Sequence, residues 1–267
     1  MRSALPLLRR DLAESRWGLV GWASGLAVFA GLYLPLFPTF GGRDSQLAEL
    51  IRSLPPALVK TLGYEDIVSG AGYAQSTFFG LMAFALTAFA AVSWGAAAIA
   101  GAEESGRLEL TLAHGVSRAR HVLESALSVL VRVAGLALVA VLLVLALDGP
   151  SQLGLAPAHV AAAGVSLAGL AVLTGAASLA AGAATGRARW ATSAGAIIAF
   201  GGYGTNAVAN QSPDLDWLHA LSPYAWAWRG APLEAGWDVP GLIALWGTSA
   251  VLVGAAVWLL DRRDLRP

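Results

Sequence analysis

The chain contains no cysteine, which excludes disulfides, thiolate metal sites and a cysteine nucleophile. Lysine is nearly absent, with Lys60 alone. A phosphate-cradling loop needs a glycine-rich turn followed by lysine and a hydroxyl residue, and Lys60 falls in a segment assigned below to the outer side, so ATP binding of that kind is excluded. Charge is scarce at 13%, and its 17 basic and 17 acidic residues cancel, which points to neither a nucleic-acid partner nor an acidic substrate. The four histidines are scattered at His114, His121, His159 and His219 and suggest no zinc or copper site. Gly202-Tyr203-Gly204 is a lone fragment inside an apolar run and reads as helix packing rather than a nucleotide loop. Ser, His and Asp converge on no pair of apolar runs, which argues against an intramembrane hydrolase. No ladder of carboxylates crosses them either, which argues against a proton-coupled carrier. Internal repeats and Gly/Ser or Pro-rich linkers are also missing.

Apolar residues are what the sequence has in excess. They make up 57% of its 267 residues, with a mean hydropathy of +0.63, more than a soluble domain of this size buries. The expected solvent is therefore lipid, and the expected fold is an all-α polytopic membrane protein of about six transmembrane helices. The spans fall near Trp17 to Pro38, Ser76 to Gly101, Glu124 to Leu147, His159 to Thr185, Ala191 to Ala209 and Gly241 to Leu260, each long enough for a hydrocarbon core of about 30 Å. The first is too long for a signal-peptide core and reads as an uncleaved span. Arg2, Arg9, Arg10, Arg16, Arg107, Arg118, Arg120, Arg187, Arg189, Arg262, Arg263 and Arg266 share one side, against Arg43, Arg52, Lys60 and Arg229 on the other. The positive-inside bias then puts both termini in the cytoplasm of a cell-membrane protein.

Within this single permease-like domain, residues 1–16 carry Leu5, Leu8 and Leu12 among arginines and suit a short interfacial helix. In the outer segment 39–75, Leu47, Leu50, Ile51 and Leu54 mark one helical face, which ends at Pro55-Pro56. The segment 210–240 crowds Trp217, Tyr224, Trp226, Trp228 and Trp237 among prolines, a density typical of the headgroup level. It reads either as a re-entrant pair or as an interfacial anchor. Small residues from Gly175 to Ala184 predict that the fourth span lies inside the bundle, because membrane helices associate through close backbone contact.

The segment 102–122 carries the functional argument. Glu103 and Arg107 stand four apart in the favourable acid-before-base order, with Leu108 and Leu112 on a neighbouring face, which predicts a short amphipathic helix. Such a helix suits docking to a soluble partner; a solvated loop between two spans fits the charges equally well.

The run Gly101-Ala102-Glu103-Glu104-Ser105-Gly106-Arg107-Leu108-Glu109-Leu110-Thr111-Leu112-Ala113, closing on Val116-Ser117-Arg118, resembles the ABC type-2 transporter permeases, a family that includes drug- and antibiotic-export subunits. Leu221-Ser222-Pro223-Tyr224 and Gly230-Ala231-Pro232-Leu233 resemble the family's stretch before its last span. Gly115 stands where the family usually has proline, which predicts a looser end to the helix. The resemblance implies a non-catalytic permease, dimeric as a homodimer or with a sister permease, bound to two separate ATP-binding subunits that hold ATP and Mg. It implies a cytoplasmic coupling helix between spans 2 and 3, and hence Glu103, Glu104, Gly106, Arg107, Leu108, Glu109 and Leu110 as residues coupled to the ATPase.

Cargo is expected to be a hydrophobic or amphipathic compound of the drug or antibiotic class, moved outward. A lipid, a glycan precursor and a metalloenzyme-maturation factor are alternative cargoes, and a stand-alone carrier or immunity-type protein is the alternative function. Arg132 and Glu124 lie within the third span, where ionisable residues are candidates for function, although Arg132 also has the length to snorkel along its own helix. Arg132, Tyr203, Asn206 and Asn210 form the candidate translocation path.

Overall fold

A computed structural model of the chain describes residues 5–40, 49, 53–55, 59 and 67–263. Among these residues the structure is helical almost throughout, with no strand, so backbone polar groups are satisfied within each segment, as lipid requires. A short helix, α1 (Pro6–Glu14), precedes α2 (Arg16–Thr39), α3 (Gly70–Glu104), the seven-residue helix α4 (Arg107–Ala113), α5 (Arg118–Asp148) and α6 (Pro157–Thr185). After α6 comes α7, over 188–209; a 3₁₀ stretch at Pro213–Leu221 leads to the short helices α8 (Pro223–Trp228) and α9 (Pro232–Ala235), and α10 (Val239–Arg262) closes the bundle. The outer amphipathic face expected around Leu47, Leu50 and Ile51 lies outside the described residues.

Five helices, α2, α3, α5, α6 and α10, are long and apolar enough to cross a membrane. The remaining expected span, 191–209, falls within α7, a continuous helix that is diluted by Gly201, Gly202, Gly204, Thr205 and Asn206. The helices overrun the expected spans. At 35 residues α3 reaches roughly 50 Å at 1.5 Å per residue, more than the ~30 Å core, and α5 begins at Arg118 rather than near Glu124. Hydropathy sees only the part in hydrocarbon; the polar ends continue the same hydrogen-bond ladder.

Successive long helices run antiparallel, so that one end of the bundle gathers α1, Glu103, α4, Arg118, Gly186 and Arg263, and the other gathers Tyr33, Tyr73, Asp148 and Asn210. These are called here the Glu103 end and the Asn210 end. Helix α6 is the spindle, as its small residues predict. Its most apolar stretch is 89% buried, against 17% in α2 and in α10, which hold the periphery. The close packing has named causes. A β-carbon on Gly95 would collide with the backbone carbonyl of Gly175, and one on Gly175 would come within 2.9 Å of Val129 and 3.2 Å of the Ala91 carbonyl. Gly195 of α7 is likewise pressed onto Ser178.

Three stretches wind as π-helix: Ala74–Ala83 and Ala97–Gly101 in α3, and Ile197–Gly201 in α7. Wider turns displace carbonyls from the usual ladder, and side chains take some of them up. Thr77 donates to the Tyr73 carbonyl at 2.7 Å and Tyr224 to the Gly80 carbonyl at 3.0 Å. Tyr224 sits on α8, and its ring meets Tyr203 at 5.0 Å and Phe84 at 5.3 Å. Ser222 donates to the Gly202 carbonyl at 2.7 Å and caps α8. The aromatic segment before the last span therefore divides: Tyr224 and Trp228 turn into the bundle, whereas Trp217 and Trp237 remain exposed.

Candidate functional site

The residues expected to couple to an ATPase gather at the Glu103 end, where α3 gives way to α4. The chain turns sharply there. Ser105 closes α3 and Gly106 takes φ +69° at the N-cap of α4, a conformation glycine adopts without strain. The break overturns the pairing expected from spacing: Glu103 and Arg107 belong to two different helices and do not meet. Arg107 instead reaches the Ser105 hydroxyl at 2.9 Å, and Glu103 forms an ion pair with Arg263, just beyond α10. Glu104 accepts the Ala188 N–H at 2.8 Å, binding the start of α7.

Helix α4 is rooted along one side and free along the other. Leu108 is completely buried among Ile99, Val122, Leu179, Ala183 and Leu260, with Leu112 packed beside it. Arg107 and Leu110 are exposed, Leu110 by 63%. Glu109 lies in the first turn, where a carboxylate complements the unpaired N–H groups of a helix start. At the far end Gly115, with φ +83°, donates its N–H to the Leu112 carbonyl at 3.0 Å. The α4 to α5 connection is thus a defined turn followed by the Ser117 N-cap of α5.

Arg118 and Gly186 complete the cluster; the sequence marks Arg118 only as part of the Val116-Ser117-Arg118 motif and of the basic side, and does not mark Gly186. The Arg118 guanidinium donates to the carbonyls of Leu260 at 2.9 Å, Asp261 at 3.1 Å and Arg263 at 2.8 Å, satisfying the C-terminal carbonyls that a helix leaves orphaned. Gly186 ends α6 at φ +67°, and a side chain there would collide with Arg263 and Glu103. Val116-Ser117-Arg118 is part of the motif that carries the resemblance, and the arginine pair after the last span enters the sequence reading as charge alone; neither signals a contact between Arg118 and the end of α10.

Beside this cluster a cavity of about 650 Å³ is walled by α1, α3, α4 and α5, with Trp94, Arg107, His121, Glu124 and Arg132 among its lining. Glu124 is not a free intramembrane charge. One of its carboxylate oxygens accepts the N–H groups of Leu7 at 2.9 Å and Leu8 at 3.1 Å, and the other accepts from Arg120 at 2.7 Å. It therefore caps the start of α1. Nor does Arg132 snorkel to water: it is 6% exposed, lies 4.8 Å from the Trp94 ring centroid and bonds Asp11 of α1 at 3.3 Å. Although eight residues apart on α5, Glu124 and Arg132 both hold α1.

Arg132 thus belongs to the Glu103 end, whereas Tyr203, Asn206 and Asn210 belong to the other, and the structure does not bring them together. Asn210 is bonded to His219 at 2.9 Å, and His219 in turn faces Asp216, which bonds Arg229 at 2.8 Å. Arg229 holds the Asp216 carboxyl below the ordinary carboxylate value through that hydrogen bond, with His219 contributing. Among the described residues no cluster of His, Asp and Glu has the form of a metal site.

No curated protein gives a significant match to the chain. The family described as ABC-2 family transporter protein matches residues 5–265, nearly the whole length, including α1, the α3 to α5 connection and the last span. A helical bundle with five membrane-length helices and a rooted amphipathic helix at one end agrees with that assignment. The chain therefore belongs to the ABC-2 transporter family and is a membrane-embedded permease component of an ABC transporter, whose family implies a separate ATP-binding subunit.

Proposed function

We propose that this permease exports a hydrophobic or amphipathic compound, of the drug or antibiotic class, as a homodimer carrying two ATP-binding subunits that supply ATP and Mg. The observation that carries the proposal is the form of α4, whose Leu108 is sunk in the bundle while Arg107 and Leu110 stand clear of it. A helix rooted in this way hands a push from a docked protein to α3, α5, α6 and α10, whereas a solvated loop absorbs it. Glu103 and Glu104 pass the push sideways, Gly106 supplies the corner, and Glu109 stabilises the helix start. Arg9, Arg10, Arg16, Arg107, Arg118, Arg120, Arg187, Arg189, Arg262 and Arg263 stand at the Glu103 end, against Arg229 at the other among the described residues. This asymmetry supports a cytoplasmic Glu103 end. In the outward half, Tyr203, Asn206 and Asn210 are the proposed path residues, while Arg132 serves α1.

The test is purification of the tagged permease from its native membranes in mild detergent, followed by identification of co-purifying ATPase and measurement of its turnover. An ATPase in equimolar amount is expected. Arg107→Glu is expected to lower turnover about tenfold, the equivalent of ~1.4 kcal/mol, with membrane insertion unchanged. Full ATPase activity in that variant, or repeated recovery of the chain without an ATPase, would overturn the proposal.

A further inference from the structure

The contacts at the Glu103 end form a closed circuit that the position of α4 alone does not require. Glu103, at the end of α3, pairs with Arg263 after α10. Arg118, in the first turn of α5, holds three carbonyls from Leu260 to Arg263. Gly186 makes room for the pair by carrying no side chain, and Glu104 accepts the first N–H of α7. Both charged side chains of the pair are largely sheltered, at 9% exposure for Glu103 and 19% for Arg263. A sheltered ion pair is weakly screened and costly to break on one side only. By contrast, α10 lies at the periphery, with only 17% of its most apolar stretch buried, and packs along one side on α6.

The geometry points to Arg263 and Arg118 as positioning residues of the coupling machinery, through which α3 and α5 grip the end of α10 so that the last span moves with the coupling helix. This rests on the coupling role proposed for α4, and it adds a destination for the motion. The push is delivered to the C-terminal end of α10 by one ion pair and one guanidinium clamp. Packing through Leu108 and Leu260 sets the distance between the two helices; the charged contacts make them turn together.

The absence of cysteine makes the test direct. Spin labels are placed at Ala113→Cys, at the exposed end of α4, and at Trp258→Cys, on the outer face of α10. Their separation is measured by pulsed electron resonance in the purified permease–ATPase complex, first without nucleotide and then trapped with ADP and vanadate. In the otherwise unaltered chain the separation is expected to stay the same while the ATPase turns over. Glu103→Gln with Arg263→Gln is expected to broaden or shift it on trapping and to change ATPase turnover severalfold. Charge reversal by Glu103→Arg alone should do the same, and joining it to Arg263→Glu should bring both readouts back toward the unaltered chain. Arg263→Lys, which keeps the charge on a side chain of comparable reach but without the guanidinium fork, is the variant to use if the reversals fail to assemble, and should lie closer to the unaltered chain than Arg263→Gln does. A separation that changes on trapping in the unaltered chain, or neutralised variants indistinguishable from it, would overturn the clamp while leaving the coupling role of α4 standing. A chain that recovers no ATPase would overturn both.

Discussion

Leu108 was readable from spacing alone: with Leu112, one turn on, it makes an apolar edge, and both leucines of that edge pack into the bundle. Its neighbour Glu103 was not. The carboxylate and its partner Arg263 are 160 positions apart, and a single glycine in the left-handed region removes the local pairing that spacing favoured. Gly186 shows how much one position carries, because its conformation and its lack of a β-carbon are both required. Gly186→Ala is expected to cost about 1–2 kcal/mol from the backbone conformation alone, and more from the collision with Arg263, lowering the midpoint of thermal unfolding in detergent. At the other end Asp216 sets a pH dependence with a definite sign. Its folded pKa is lowered by Arg229 below the ordinary carboxylate value, so its contribution is fully present above that ordinary value and is lost as pH falls through the lowered one. Asp216→Asn should therefore differ from the unaltered chain at neutral pH and converge with it only in strong acid, as read by the fluorescence of nearby Trp217 and Trp226.

Helices are where hydropathy reads best. The apolar runs locate α2, α3, α5, α6 and α10, and the Gly/Ala content of α6 rightly puts it at the centre. Two things escaped that reading. Polar extensions such as Arg118 to Leu123 are helical because the ladder continues past the hydrocarbon, a continuity that composition does not register. The π-helical stretches depend on partners from elsewhere in the chain, such as Tyr224 for Gly80, and so leave no local pattern. Helix α1 has nine residues, too short to persist alone in water, and its docking rests on Glu124 and Arg132. Glu124→Ala removes the acceptor for two N–H groups and a negative charge at a helix start, worth up to about 2 kcal/mol in a sheltered setting. The variant is expected to loosen α1, seen as several-fold faster maleimide labelling of a cysteine at half-buried Leu12. An unchanged rate would show that apolar contacts alone hold the helix.

For the molecule as a whole, family and fold class were legible because lipid imposes them: a chain this apolar has few architectures open to it, and the α3 to α5 connection carries a recognisable motif. The number of crossings was harder, because α7 mixes glycine, threonine and asparagine into an otherwise apolar helix and its place depends on neighbours. A cysteine at Gln211, just beyond α7, is expected to react with an impermeant maleimide added outside intact cells, and one at Arg187 only after the membrane is opened; labelling of both from the same side would remove α7 from the spans, and the reverse pattern would invert the orientation. The deep burial of α6 also bears on how the protein is made. Its glycines and alanines offer lipid little side-chain surface, and 89% of its most apolar stretch is buried against other helices, so much of its stabilisation comes only when its neighbours are in place. The companions it packs against most closely in the first half, α3 and α5, precede it in translation. α6 thus enters a membrane where part of its socket already exists, and a nascent chain in which α3 fails to insert should strand α6 at the translocon for quality-control proteolysis.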